Sequence, residues 1–333
     1  MTADHTPIVP AAGSPILVAD IGGTNARFGL IDGRVVREVR VLRCANYASI
    51  EDAATAYLTA AGLAAHGTPG RPRRGAFAVA GPVTGDRIAM TNLVWEFSVG
   101  QVRNALGLEG LKVINDFTAV ALSVPRLAPE DLRQVGDGTP LAGMVVGVLG
   151  PGSGLGVSGL VPAAGGRWTA LSGEGGHTTM APVSDRESSV LAQLRKSFDH
   201  VSAERVLSGP GLINLYQALS IIDGREPASL TPAEITDHAL AGTEPHCTEA
   251  VEMFCAMLGT VAGNLALTLG ARGGIYIAGG IVPKLGNLFT HSRFRKRFVE
   301  KGRMRDFLAP IPTYVITHDL PAFLGLAEAA ETD

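Results

Sequence analysis

Cysteine is scarce in this chain: Cys44, Cys247 and Cys255 are the three among 333 residues, and none stands in CxxC spacing. An odd thiol count without paired spacing fits neither a disulfide framework nor a zinc site, and points to a reducing, cytoplasmic setting. Charge is thin as well. Charged side chains make up 18% of the sequence, below the roughly 25% usual for globular domains, and the formal net charge is −3. That leaves no concentrated positive field for nucleic acid or an anionic membrane, so neither is expected as a partner and a small ligand is. Residues Met1 to Pro15 show no basic n-region followed by an apolar run, and no secretory signal is read there. The longest uncharged stretch, Gly138 to Gly166, holds ten glycines and Pro151, which makes it a poor membrane helix and a better pair of buried strands joined by a loop. A Gly-Lys pair is also missing: none of Lys112, Lys196, Lys284, Lys296 or Lys301 follows a glycine, which excludes the GxxxxGK[ST] loop of Walker-type NTPases.

What the chain has in excess is glycine, 42 residues, on a 46% hydrophobic background. The length suggests two domains, and the glycines suggest backbone-lined binding loops. Two segments repeat one theme, an apolar run, a Gly-rich turn with a hydroxyl residue, and a second apolar run: Ile16 to Ile31 around Gly22-Gly23-Thr24, and Met144 to Val161 around Gly152-Ser153-Gly154. Both read as β-hairpins. Their separation of about 130 residues suggests a duplicated core facing one cleft. The GxGxxG match at Gly154-Leu-Gly156-Val-Ser-Gly159 continues as strand through Pro162 and opens no helix, which argues against a dinucleotide fold. Strands are expected at Gly75 to Ala80, Leu111 to Asp116 and Gly274 to Gly280. Helices are expected at Ile50 to Leu63, Phe117 to Val124, Glu187 to Phe198, Ala203 to Leu207, Gly211 to Leu219, Pro232 to Ala241, Thr248 to Leu269 and Pro321 to Ala330. The chain is therefore α/β, with a larger and more helical C-terminal half.

Successive backbone N–H groups in a Gly-rich turn make an anion-binding concavity, to which Thr24 and Ser153 add hydroxyls without bulk. Asp20, at the end of the first strand, could hold Mg²⁺ directly or through water. Asn115-Asp116 closes an apolar strand before a helix; Asp116 is either an N-cap or a general base at a strand's carboxyl end, and spacing leaves both open. Gly173-Glu174-Gly-Gly-His177 sets a carboxylate and an imidazole among glycines, where a substrate could approach closely. Glu204, taken alone, reads as structural, a carboxylate in the first turn of a helix capped by Ser202. The run Arg293 to Arg305, with seven positive charges in thirteen residues, reads as an amphipathic helix with a solvated basic face.

Taken in order, the blocks Ala19 to Arg27, Ala80 to Asp86, Met90 to Trp95, Ile114 to Ala119, Gly150 to Val157, Gly173 to His177, Ala203 to Gly211, Ala278 to Ile281 and His318 to Ala322 make the chain resemble the ATP-dependent, non-zinc bacterial glucokinases. That family belongs to the sugar kinase, Hsp70 and actin superfamily. The resemblance implies a two-domain, ribonuclease H-like α/β fold with the active-site cleft between a small domain (15–124 with 319–333) and a larger, more helical one (125–318), after a flexible tail at 1–14. It implies ATP, Mg²⁺ and glucose as ligands and a homodimer as the assembly. Residue by residue, it makes Asp116 the catalytic base and Asn115, Asp116, Glu174, His177 and Glu204 the glucose ligands. Ala19, Asp20, Ile21, Gly22, Gly23 and Thr24, with Gly152, Ser153, Gly154, Gly279 and Gly280, would bind ATP, and Asp20 would hold Mg²⁺, through water. The reading of Glu204 as structural reverses on this evidence. A catalytically weak sugar sensor, or a kinase for another hexose, is the alternative. The zinc-binding cysteine cluster of the related repressor family is absent, and no helix-turn-helix precedes Ile16.

Overall fold

A computed structural model describes residues 14–90, 93 and 95–331. Most of the expected tail at 1–14, and Thr91, Asn92 and Val94 of the Met90 to Trp95 block, lie outside the described residues. The chain forms two compact units, one running to Arg126 and taken up again at Leu320, the other Leu127–Asp319.

The first unit begins with the hairpin β1 (Ile16–Ile21) and β2 (Asn25–Asp32), extended by β3 (Val35–Arg43). Helix α1 (Ile50–Ala60) follows, opened by Ser49, whose hydroxyl accepts the Asp52 N–H at 3.1 Å. Next come β4 (Arg74–Val79), the small ribbon β5 (Arg87–Ala89) and β6 (Glu96–Ser98), α2 (Val99–Ala105), β7 (Gly110–Asn115) and α3 (Asp116–Ser123). The main sheet runs β3-β2-β1-β4-β7, antiparallel through the first three strands and parallel across β1, β4 and β7. β1 and β4 are near-continuous apolar runs, as parallel strands covered on both faces require. In the core Phe28 stacks on Tyr57 with ring centres 5.4 Å apart and meets Phe77 edge-on at 6.1 Å.

The second unit has β8 (Leu132–Gln134), the hairpin β9 (Val146–Pro151) and β10 (Leu155–Pro162), and β11 (Trp168–Gly173). It continues with α4 (Asp185–Leu194), α5 (Gly209–Ile222), α6 (Pro232–Ala241), α7 (Pro245–Leu269), β12 (Ile275–Ile277), α8 (Ile281–Leu285), α9 (Asn287–His291), α10 (Phe294–Val299), α11 (Arg305–Leu308) and β13 (Thr313–Ile316). Its sheet, β11-β10-β9-β12-β13-β8, repeats the plan of the first: an antiparallel trio, then two parallel strands, here with β8 added antiparallel. The duplication expected from the two hairpins is thus present in the strand order. The uncharged stretch Gly138 to Gly166 supplies β9 and β10.

Helix α6 starts at a capping box between Thr231 and Glu234, has Pro232 in its first turn and stops at Gly242 with φ 65°. Helix α7 has the length and apolarity of a membrane span, but 72% of that window is buried, which makes it this unit's central helix. Against it lies the basic segment, which is not one amphipathic helix. Phe294–Val299 and Arg305–Leu308 are separate short helices, and three cations turn inward. Arg297 grips Glu187 at 2.5 and 3.2 Å and donates to Thr260 Oγ1 at 2.7 Å, with 3% and 4% of the two ionic side chains exposed. Lys301 donates to Thr260 O and Asn264 Oδ1, and Arg295 to the carbonyls of Asp137, Ala309 and Ile311. The charge pattern alone could not distinguish these from a solvated face, because every partner is remote in sequence.

The chain then returns to the first unit as α12 (Pro321–Glu331), which packs on α3. Gly325 allows the contact: a Cβ there would overlap the Ala119 carbonyl. Arg126 Nε reaches Glu328 at 2.7 Å and completes the join.

Candidate active site

In the first unit, register fixes the geometry. Ile21, Val79 and Asn115 lie side by side across β1, β4 and β7, so the turn after β1, the Ala80-Gly81 segment and Asp116 all emerge at one carboxyl edge. Open α/β sheets bind ligands at that edge. With about 4.8 Å between strands, the turn and Asp116 are two spacings, roughly 10 Å, apart. The turn closes by Gly22 N–H on Asn25 O at 3.0 Å, leaving Thr24 exposed at its apex. Cys44 underpins it, donating its N–H to Thr24 O at 2.9 Å and its thiol to Gly22 O at 3.6 Å. Burial pushes that thiol's pKa up. Nothing in the sequence singled out Cys44 for this position.

Asn115, and not Asp116, caps α3: its Oδ1 accepts the N–H groups of Phe117 at 2.9 Å and Thr118 at 3.1 Å, while Nδ2 donates to Gly81 O at 3.2 Å. An Asn two residues ahead of the apolar helical run carried that signal. Asp116 becomes the first helical residue, half-buried, its Oδ1 2.8 Å from the Phe117 N–H and its charge favoured by the helix N-terminus. Asp20, 27% exposed, faces Arg27 at 3.3 Å. Burial raises its pKa, and the guanidinium works against that rise.

In the second unit the corresponding turn, also three residues between its strands, is closed by a bond of shorter span. Gly152 N–H closes on Gly154 O at 2.8 Å, Gly209 N–H supports Gly152 O at 2.8 Å, and Ser153 is exposed at the apex. The Ala278 N–H donates to Leu149 O at 2.8 Å, bringing Gly279 and Gly280 to the same edge. Gly279 has φ +85° and lies so close to the Pro151 carbonyl that no side chain fits.

Glu174 precedes a single 3₁₀ turn, Gly175–His177, closed by His177 N–H on Glu174 O at 3.0 Å; both side chains are exposed. The helix expected at Ala203 to Leu207 is instead a run of tight turns. The neighbouring loop is tied to this segment: Ala203 N–H goes to Thr178 O at 2.8 Å and Glu204 N–H to Gly176 O at 2.9 Å. These bonds bring Glu204 into the Glu174–His177 loop. Its carboxylate Oε2 accepts the Leu155 N–H at 2.8 Å.

Turn, loop and carboxylate sites of this kind suit a phosphorylated ligand and a polyhydroxylic one, and the family model that matches residues 17–333 is Glucokinase. The chain belongs to the glucokinase family. The glucokinase of Paramagnetospirillum magneticum is 56% identical over 314 residues, covering 94% of this chain and 96% of its own. The crystal structure of a glucokinase from an Antarctic psychrotroph superposes with a TM-score of 0.85 at 36% identity, over 96% of this chain and all of that one. A Balamuthia mandrillaris glucokinase solved in complex with glucose shares the fold, with a TM-score of 0.80 at 20% identity over 98% of this chain and 96% of that one. The architecture is that of the actin-like sugar kinases.

Proposed function

We propose that this member of the glucokinase family transfers the γ-phosphoryl group of ATP to the 6-hydroxyl of glucose, giving glucose 6-phosphate and ADP, with Asp116 as the base. The observation that carries this reading is the position of Asp116, which follows the Asn115 cap as the first residue of α3 at the carboxyl edge of β7, in register with the Gly22–Thr24 turn. Phosphoryl transfer needs little covalent chemistry from the protein and is mostly positioning and charge stabilisation. Asp116 accepts the hydroxyl proton as the bond to phosphorus forms, a role worth roughly 10²–10⁴-fold.

The roles divide between the units. The first supplies Asp116, the Ala19 to Thr24 phosphate turn and Asn115, whose Nδ2 gives one hydrogen to Gly81 O and has a second for a sugar hydroxyl. The second supplies Gly152, Ser153 and Gly154 for phosphate, Gly279 and Gly280 for the adenosine, and Glu174, His177 and Glu204 for the sugar hydroxyls. Asp20 offers one carboxylate at the turn, a donor set that fits Mg²⁺ arriving on the nucleotide, since magnesium takes one or two carboxylates besides phosphates and water. When bound there, the ion would neutralise phosphate charge. A sugar lacking a hydroxyl that these carboxylates accept leaves one of them without that bond in the complex and is discriminated against.

The test is ATP-dependent phosphorylation across a hexose panel, with Asp116→Ala alongside. Expected is turnover with glucose that falls at least 10²-fold in the variant while glucose still binds. Glucose binding without phosphorylation of any sugar would replace this reading with a sensor. Turnover of a different hexose in preference to glucose would keep the reaction and change the substrate. A cytoplasmic homodimer belongs to the same reading, and a monomer in sedimentation velocity would remove that part.

A further inference from the structure

Leu155 is the first residue of β10, directly after the Gly152–Gly154 turn, and its N–H donates to the Glu204 carboxylate 49 positions away. The packing around this bond is tight. A Cβ on Gly154 would stand 2.5 Å from Glu204 Oε2. A Cβ on Gly176 would overlap the Leu155 carbonyl, and the Gly176 carbonyl accepts the Glu204 N–H at 2.9 Å. The phosphate turn, the Glu174–His177 loop and Glu204 are therefore joined by the Glu204 carboxylate on the Leu155 N–H and by the Gly176 carbonyl on the Glu204 N–H, with two glycines as spacers. Neither glycine has positive φ. Alanine could adopt both conformations, so what these positions require is room, and at Gly154 the atom that would be displaced is the carboxylate of Glu204.

A carboxylate has two oxygens and about four acceptor sites, so Oε2 can hold the Leu155 amide while Oε1 serves a hydroxyl. Resting on the assignments above, we propose that Glu204 links the sugar site to the nucleotide site: the Leu155 N–H orients its carboxylate for the sugar, and that same bond holds the phosphate turn in place. Gly154, although assigned to ATP, is then a positioning residue for the sugar. Such a linkage is reciprocal. If nucleotide on the turn changes the affinity for sugar, sugar on Glu204 changes the affinity for nucleotide by the same factor.

The test is calorimetric titration of the whole protein with glucose, with ADP, and with glucose at saturating ADP, using wild type, Gly154→Ala, Glu204→Gln and Glu204→Ala. Hydrogen bonds to charged groups set the scale at about ten-fold or more. Gly154→Ala is expected to weaken glucose about ten-fold, although the substitution lies in the phosphate turn. Glu204→Gln weakens glucose but keeps a carbonyl acceptor for the Leu155 N–H, so its ADP affinity stays within about two-fold of wild type. Glu204→Ala loses both, with ADP weakened about ten-fold. The ratio of glucose affinities with and without ADP moves toward one in Gly154→Ala and Glu204→Ala, a change that mere loss of stability does not produce.

The linkage is overturned if wild type binds both ligands while Glu204→Ala binds ADP as wild type does. It is equally overturned if folded Gly154→Ala binds glucose normally. Wild type that binds no glucose would instead overturn the functional assignment. Should Gly154→Ala fail to fold by circular dichroism, the comparison of Glu204→Gln with Glu204→Ala decides alone.

Discussion

The two units lay out their sheets alike, yet they support their glycine turns by different means. Under Gly22–Thr24 sits Cys44, a small buried side chain that gives a backbone N–H and a weak thiol donor. Beside Gly152–Gly154 sits Glu204, a carboxylate that accepts from the start of β10 and is backbone-bonded to the Gly173–His177 loop. Strand order decides where each turn emerges, and side chains from elsewhere decide what the turn is connected to. The cores differ in the same way. The first unit closes around Phe28, Tyr57 and Phe77 and around helix contact at Gly325, whereas the second encloses an ion pair, Glu187 with Arg297.

The largest stability effect that would break this contrast lies in that ion pair. Arg297→Met leaves Glu187 buried without its partner, and removing one side of such a pair costs about 3–5 kcal/mol. A denaturant midpoint followed by a probe in the second unit should fall accordingly, and the double variant with Glu187→Leu should recover much of the loss. A fall below about 1 kcal/mol would mean that the pair is not an internal prop.

Next in size is Gly325→Ala. The new methyl meets the Ala119 carbonyl, so α12 must move off α3, an overpacking that costs about 1–3 kcal/mol. The expected signature is lower thermal stability of the first unit with the second unchanged. Equal loss in both would show that the two cores are not separable.

The smallest effect is a pH response. Asp223 receives both Nη groups of Arg186 at 2.8 Å and His246 Nε2 at 3.0 Å, which hold its pKa well below the usual carboxylate range. A carboxylate depressed on folding contributes stability above its unfolded pKa and loses it as the pH falls through the folded one, so the loss begins below about pH 4. Asp223 is 39% exposed, and solvent screening keeps the contribution small. Melting temperatures between pH 6 and pH 3 should fall less steeply for Asp223→Asn than for wild type; parallel slopes would remove Asp223 from the acid response.

Much of the fold was legible because its signals are local. The apolar runs on either side of Gly22–Thr24 and Gly152–Gly154 predicted two hairpins, and both are present. The helix expected from Pro232 to Ala241 runs between those residues, with Thr231 capping its start and Gly242 at its end. The failures fall where a local preference met a remote competitor. At Ala203 to Leu207 the chain turns tightly and is tied to the carbonyls of Gly176 and Thr178; in the basic segment Arg293, Lys296, Arg303 and Arg305 keep the expected solvated face, while Arg295, Arg297 and Lys301 turn to partners that include Glu187, Thr260 and the Ile311 carbonyl.

By itself the sequence determined the elements of this protein and the residue types at its turns, because caps, glycine conformations and apolar alternation act over a few residues. Only the tertiary structure decided that Arg297 is a buried prop and that Glu204 reaches the phosphate turn. Both depend on remote partners, 110 and 49 residues away. A hydrogen bond or ion pair at that distance has no local pattern, and its partner is chosen only when packing brings the segments together.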